Sequence, residues 1–307
     1  MMQSQTRPAL TLMEQLRTLA MPDGVRIAYR IAAAPQSNAG RAVVLLHGLA
    51  SNMTRFSEFV ERTHLTDALR VVRVDLRGHG ESPTRGRIGL EQWSADLARL
   101  LDAEGVRRAV LVGHSLGAQV AMHFAARAPQ RLAGLALIDP VFRAALHGKW
   151  RLLAGLAPLF RAAAAAVRGL NTLGLRRRRL PALDLRALDE KAREALTSKE
   201  AEAEFVRRYS STRADLRTFH TAHYLQELVE MFRPLPDPST YAMPVLVLLS
   251  LGGTFSGVDA TRAIARRFPR GRVQTIDCHH WPLTERPDDV RRAIEDWCSD
   301  CETVEVG

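Results

Sequence analysis

The sequence predicts an α/β fold: a mostly parallel sheet flanked by helices, with one inserted helical block acting as a lid. Three observations point to this. Short apolar runs alternate with amphipathic helical stretches up to Val141, the rhythm of βαβ units. The runs are continuous and rich in β-branched residues, as in strands covered on both faces. Between Phe142 and Tyr241 the alternation stops, helical patterns take over, and the strand rhythm then returns.

The elements follow in order. Pro22-Asp23-Gly24 turns the chain into a strand at 26–32. Further strands are expected at 42–46 (AVVLL), 71–75, 109–112 and 135–138, with helices at 90–102 and 116–126. The segment 185–209 is rich in Ala, Glu, Leu and Arg and reads as helix. Pro234, Pro236 and Pro238 make a stiff connector. A strand at 244–249, a helix at 260–268, a strand at 272–277 and a helix at 287–297 complete the chain. The expected organisation is a core of residues 1–141 and 242–307 with a lid of residues 142–241. Such a lid lies over the C-terminal edge of the sheet, where open α/β sheets bind ligands.

Composition narrows the function classes. The net charge is +10, but the basic residues are nearly all arginines spread along the chain, with three lysines and one dense run at 176–179. No basic patch is interleaved with aromatic residues, so nucleic acid is not an expected partner. Cys278, Cys298 and Cys301 are too few for a disulfide framework. The Cys298/Cys301 spacing lacks a second ligand pair, so no metal is expected. The N-terminus lacks a signal-peptide pattern, and the most apolar stretch, 150–175, is broken by Arg151, Arg161 and Arg168. The expected location is cytoplasmic.

The chemistry centres on GHSLG, Gly113 to Gly117. An apolar strand runs into this pentapeptide and an apolar helix leaves it. A sharp strand-to-helix turn needs small residues beside its central serine, and it holds the Ser115 hydroxyl clear of the sheet. A tetrahedral intermediate needs two backbone N–H groups. The start of the helix at Leu116 offers one, and the loop after His47-Gly48 offers another from Leu49.

Four stretches, HGLAS (47–51), DLRGHGES (75–82), GHSLG (113–117) and HWPLTERPDDV (280–290), resemble in order and spacing the motifs of the α/β-hydrolase superfamily. The resemblance covers residues 23–141 and 243–297; the lid carries no matching motif. It implies a serine esterase or lipase-like enzyme that uses a Ser-His-acid triad and no metal or organic cofactor. Ser115 would be the nucleophile and His280 the base, with His279 as a competitor. His114 resembles a residue that packs beneath the site, and Asp75 and Arg77 resemble loop-fixing residues. His47 and His123 are the other histidines near the nucleophile.

The acid departs from the commonest family pattern. Its usual place, in the loop SLGGTFSGVDA, falls on Gly253. Asp139, at the end of the strand after the nucleophile, is favoured, because some families of the superfamily use that position. Asp259 is the alternative and Asp277 a third candidate.

The expected substrate is a small-molecule ester with an apolar acyl part. Two other readings stay open: a C–C bond hydrolase of dioxo acids on the same triad, and a hydrolase-fold ligand sensor with little turnover. Trp150, Leu152, Leu153, Leu156, Leu159 and Phe160 give the lid an apolar set. Packing on the core is the expectation for it, with contact at a membrane surface as the alternative.

Overall fold

The computed structural model of the chain describes residues 14–175, 177 and 180–304, with the side chains of 301–304 excepted. Three of the four arginines at 176–179, and the Cys301 side chain, therefore lie outside the described residues.

Among the described residues the sheet has eight strands: β1 (Gln15–Ala20), β2 (Arg26–Ala32), β3 (Asn38–Leu46), β4 (Leu69–Val74), β5 (Arg108–His114), β6 (Leu132–Ile138), β7 (Val245–Ser250) and β8 (Gly271–Ile276). Their spatial order is β1-β2-β4-β3-β5-β6-β7-β8. β1 and β2 form an antiparallel edge, and β4 through β8 run parallel. The continuous apolar runs have a direct explanation. Val44, Leu46, Leu111 and Leu137 feed one core, while Val43, Leu45, Val112 and Ile138 feed a second core on the opposite face. β1 is not anticipated by the sequence. Its residues are mostly exposed, so no buried apolar pattern marks it. It is held by pairing with β2 and by hydrogen bonds from Arg17 to Glu104 at 2.8 and 2.9 Å.

The core helices before the insertion are α1 (Ser57–Arg62), α2 (Leu90–Ala103) and α3 (Leu116–Arg127). Between β6 and β7 stand α4 (Gly148–Gly155), α5 (Ala157–Thr172), α6 (Leu185–Ala195), α7 (Lys199–Tyr209), α8 (Thr212–Thr218) and α9 (Thr221–Met231). The helices α10 (Val258–Ala265), α11 (Pro282–Glu285) and α12 (Pro287–Val304) complete the described chain. The helical pattern over 185–209 divides in two because Ser198 starts a new helix, its hydroxyl accepting from the Ala201 N–H at 3.2 Å.

Buried polar contacts clamp the insertion to the core. Arg55 pairs with Asp189 of α6, with both side chains almost fully buried. Arg193 donates to the Thr284 carbonyl and to Glu58, each at 2.8 Å. His79 pairs with Glu227 of α9, neither side chain reaching solvent. The apolar set at 150–160 divides. Trp150, Leu153 and Phe160 pack on the core, whereas Leu152, Leu156 and Leu159 face outward. Helical spacing explains this, because six apolar positions in eleven residues are more than one face can hold.

Candidate active site

Strand register brings the candidate side chains to one edge. Leu46 of β3 pairs with Gly113 of β5, and His114 pairs with Ile138 of β6. These adjacent parallel strands end at the same level, so the loop after His47, the turn at Ser115 and the residue after Ile138 are neighbours.

Ser115 has φ +52°, a left-handed conformation that costs a non-glycine residue of order 1–3 kcal/mol. The two flanking glycines allow the turn. A Cβ on Gly113 would stand 2.3 Å from the Gly117 carbonyl oxygen, and one on Gly117 would stand 2.1 Å from that of Leu46. The Ser115 N–H donates to the Ile138 carbonyl at 3.0 Å, which ties the turn to β6. As the first residue of α3, Leu116 has an N–H with no helical carbonyl to meet.

The Ser115 hydroxyl lies 2.9 Å from His280 Nε2. The opposite ring nitrogen, Nδ1, donates to the Asp139 carboxylate. Asp139 itself has φ +46°. It is steadied by β7: its N–H donates to the Leu248 carbonyl at 2.8 Å, and its Oδ1 accepts from the Ser250 N–H at 3.1 Å. The other carboxylate candidates stand apart. Asp259 lies in the first turn of α10, almost fully exposed, and pairs with Arg262 at 2.7 Å. Asp277 is also exposed. His279 turns to Glu285, at 2.9 Å from its Nδ1. Gly253 has φ +54°, and its carbonyl accepts from His147 Nε2 at 3.0 Å.

Two buried histidines stiffen the surroundings. The Leu76 N–H donates to His47 Nε2 at 3.1 Å, which leaves the proton on Nδ1 to be donated to the Gly48 carbonyl at 2.9 Å. Burial holds His47 well below the ordinary histidine range, with the nearby charge of His79 adding to the effect. This neutral ring braces the loop that carries Leu49. His114 Nε2 donates to the His280 carbonyl at 2.9 Å, and burial pushes its pKa down to about 3. His123 instead meets the Ser94 hydroxyl at 2.7 Å, at the far side of α3.

Asp75 and Arg77 hold loops. Asp75 accepts from the N–H groups of Met53 and Glu81, each at 2.7 Å. Arg77 pairs with Asp23 and Asp96.

A cavity of about 80 Å³ opens beside Ser115. Leu49, Leu228, Met231, Phe255 and Trp281 give it apolar walls, and Arg55, Tyr209, Asp215 and Tyr224 give it polar ones. Phe255 stands edge-on to the His280 ring, with centroids 4.2 Å apart. Burial pushes the Asp215 carboxyl up to about 7 against a hydrogen bond from Tyr224, and Glu227 adds to the rise. Sequence reading does not single out Phe255, Tyr209, Asp215 or Tyr224, because no spacing links them to Ser115. The one available signal for Phe255 is an aromatic residue in the glycine-rich loop after β7. Among the described residues no group of three or more His, Cys, Asp or Glu is arranged to hold a metal ion.

Comparison with known proteins gives a consistent picture. An sn-1-specific diacylglycerol lipase of Mus musculus is 28% identical over 265 residues, covering 82% of this chain and 79% of the lipase. A pimeloyl-acyl-carrier-protein methyl ester esterase of Methylococcus capsulatus is 43% identical over 103 residues, which cover 33% of this chain and 38% of the esterase. The solved structure of a thermophilic esterase from Thermogutta terrifontis superposes with a TM-score of 0.67 at 25% identity, covering 94% of this chain and 99% of that one. A hydrolase from Pseudomonas aeruginosa gives a TM-score of 0.66 at 24% identity. The family model described as alpha/beta hydrolase fold matches residues 41–287, and the chain belongs to that family.

Proposed function

We propose that the protein is a serine hydrolase of carboxylic esters, built as a hydrolase core (1–141 and 242–307) with a lid (142–241). The observation that carries this reading is the chain of contacts from the Asp139 carboxylate through the His280 ring to the Ser115 hydroxyl.

Each residue then has a role. Ser115 Oγ attacks the ester carbonyl while His280 Nε2 takes its proton. Asp139 holds the ring in the tautomer that leaves Nε2 free to accept, and stabilises the imidazolium that forms. The N–H groups of Leu49 and Leu116 meet the oxyanion. His280 then gives its proton to the leaving alcohol and next activates water, which cleaves the acyl-enzyme. The lipase and esterase relatives act on esters by name, which supports the same bond class here.

The cavity favours small or flexible acyl groups. Its volume is well below the roughly 300 Å³ of the smallest typical ligand pockets, so a long chain requires the helices above it to shift. A dioxo-acid substrate fits less well. Arg55, the arginine in the lining, is already paired with Asp189, and Asp215 adds a carboxyl.

Covalent labelling tests the reading. A fluorophosphonate probe should label the wild-type protein at Ser115, and Ser115→Ala should abolish both labelling and hydrolysis of p-nitrophenyl acetate. A folded wild-type protein that takes no label would leave the fold as a binding module without this chemistry.

A further inference from the structure

The outer surface of α4 and α5 carries a row of exposed leucines and alanines beside exposed Lys149, Arg151, Arg161 and Thr172. Leu152, Leu156, Leu159, Leu170, Leu173 and Leu175 are between 44% and 78% exposed. On α5 the exposed positions also include Ala162, Ala165, Ala166 and Gly169. Within α5, Leu159, Ala162, Ala166 and Leu170 follow the three- and four-residue steps of one helical face. An amphipathic helix in a water-soluble protein normally turns such a face inward. Here the inner face is already occupied: Ala154 and Ala164 are buried, and Trp150, Leu153 and Phe160 pack on the core.

The chain segment that carries this face is basic. From Pro140 to Leu183 the sequence has no Asp or Glu and nine Lys and Arg residues. Lys149, Arg151 and Arg161 are exposed and, among the described residues, form no ion pair. Arg168 shares a groove with Arg87, and its Nη1 is buried without a hydrogen-bond partner. Arg85, Arg87, Arg168 and Arg177 line one groove between α5 and the core loop at 77–87, where they outnumber the acids Asp23 and Glu81.

We propose that α4 and α5 dock the protein on the surface of an anionic lipid bilayer. The leucines enter the headgroup–acyl boundary while the cations meet lipid phosphates and anionic headgroups. A partner protein covering this face would need an acidic rim with apolar centre; the bilayer supplies both along its whole plane. The docking is interfacial. Among the described residues no single helix is long and apolar enough to cross a membrane, and α4 and α5 meet at a bend of 63°. The proposal stands independently of the chemistry assigned to Ser115.

Flotation with lipid vesicles tests it on the full-length protein. Wild-type protein should float with phosphatidylcholine vesicles that contain phosphatidylglycerol, should float poorly with pure phosphatidylcholine, and should detach as salt rises. The triple substitution Leu152→Ser, Leu159→Ser and Leu173→Ser should weaken binding at least ~10-fold, since each leucine loses its apolar insertion. Arg151→Gln with Arg161→Gln should lower binding to the anionic vesicles selectively. Both variants should keep the wild-type melting temperature and the wild-type rate on a soluble short-chain ester, because the altered residues lie on the outer surface. Failure of the wild type to float, or a triple variant that floats as well as the wild type, overturns the proposal. So does a concentration-dependent wild-type dimer that the triple variant loses, which would give this face to a second copy of the chain.

Discussion

At the scale of single residues, the position of the acid is the point of greatest consequence. Asp139 leaves β6 in a left-handed conformation and meets the ring of His280, while its second oxygen is engaged by the Ser250 N–H. Both carboxylate oxygens are therefore committed before any substrate binds. Asp259 has its own partner in Arg262 and is open to water. The proposed roles make a sharp prediction. Asp139→Asn should lower kcat about 10⁴-fold, because the amide no longer fixes the imidazole tautomer. Asp259→Asn should change kcat less than about twofold, as for ordinary surface substitutions. Steady-state rates on one ester, measured side by side, check both.

At the scale of elements, the sheet edge that carries Ser115 is in contact with α9 through the core loops. Glu227 of α9 reaches down between them: one carboxylate oxygen accepts from the Ala50 N–H at 3.1 Å, and the other bonds His79 Nε2. His79 Nδ1 lies 3.2 Å from the Leu76 carbonyl, so both ring nitrogens act as donors. Burial works against the charge on His79, but Glu227 outweighs it and raises the pKa. Ala50 adjoins Leu49, so an acid from α9 helps to set the loop that carries the proposed oxyanion donor. Glu227→Ala should cost about 3–5 kcal/mol of stability, the usual effect of removing one member of a buried charged pair. Urea denaturation measures it. An unchanged midpoint would mean that the pair contributes nothing to holding α9 on the core.

At the scale of the whole molecule, buried neutral histidines make folding sensitive to acid. His47 is held well below the ordinary range, His114 at about 3 and His223 at about 4, with burial the leading cause in each. In the unfolded chain each would titrate near 6.5. The sign follows from proton uptake: below that pH the unfolded state binds protons that the folded state refuses, so stability falls as pH drops from about 6.5 toward the depressed values. Asp215, raised to about 7, acts in the opposite direction and offsets part of the loss. His223 gives a clean test, because Nε2 donates to the Gly86 carbonyl at 3.2 Å and a glutamine can keep that bond. Between pH 7 and pH 5, His223→Gln should lose about 2 kcal/mol less stability than the wild type, read from denaturation midpoints at both pH values.

The layered α/β architecture and the tight turn at Ser115 are legible in the sequence alone, because these are local properties. Buried strands must be continuously apolar, helices must show their period, and a turn as tight as that at Ser115 leaves no room for a Cβ on Gly113 or Gly117. His280 was legible from the motif around it, and Asp139 and Asp259 were both legible as carboxylates at element ends. Four features depend on tertiary structure: which aspartate meets the imidazole, which aromatic residue stands against it, how Glu227 braces the loop beside Leu49, and which leucines of α4 and α5 stay outside. Each depends on residues far apart in the chain, 141 positions in the case of Asp139 and His280. Such pairs form when parallel strands end in register, and no spacing within a single segment encodes that register.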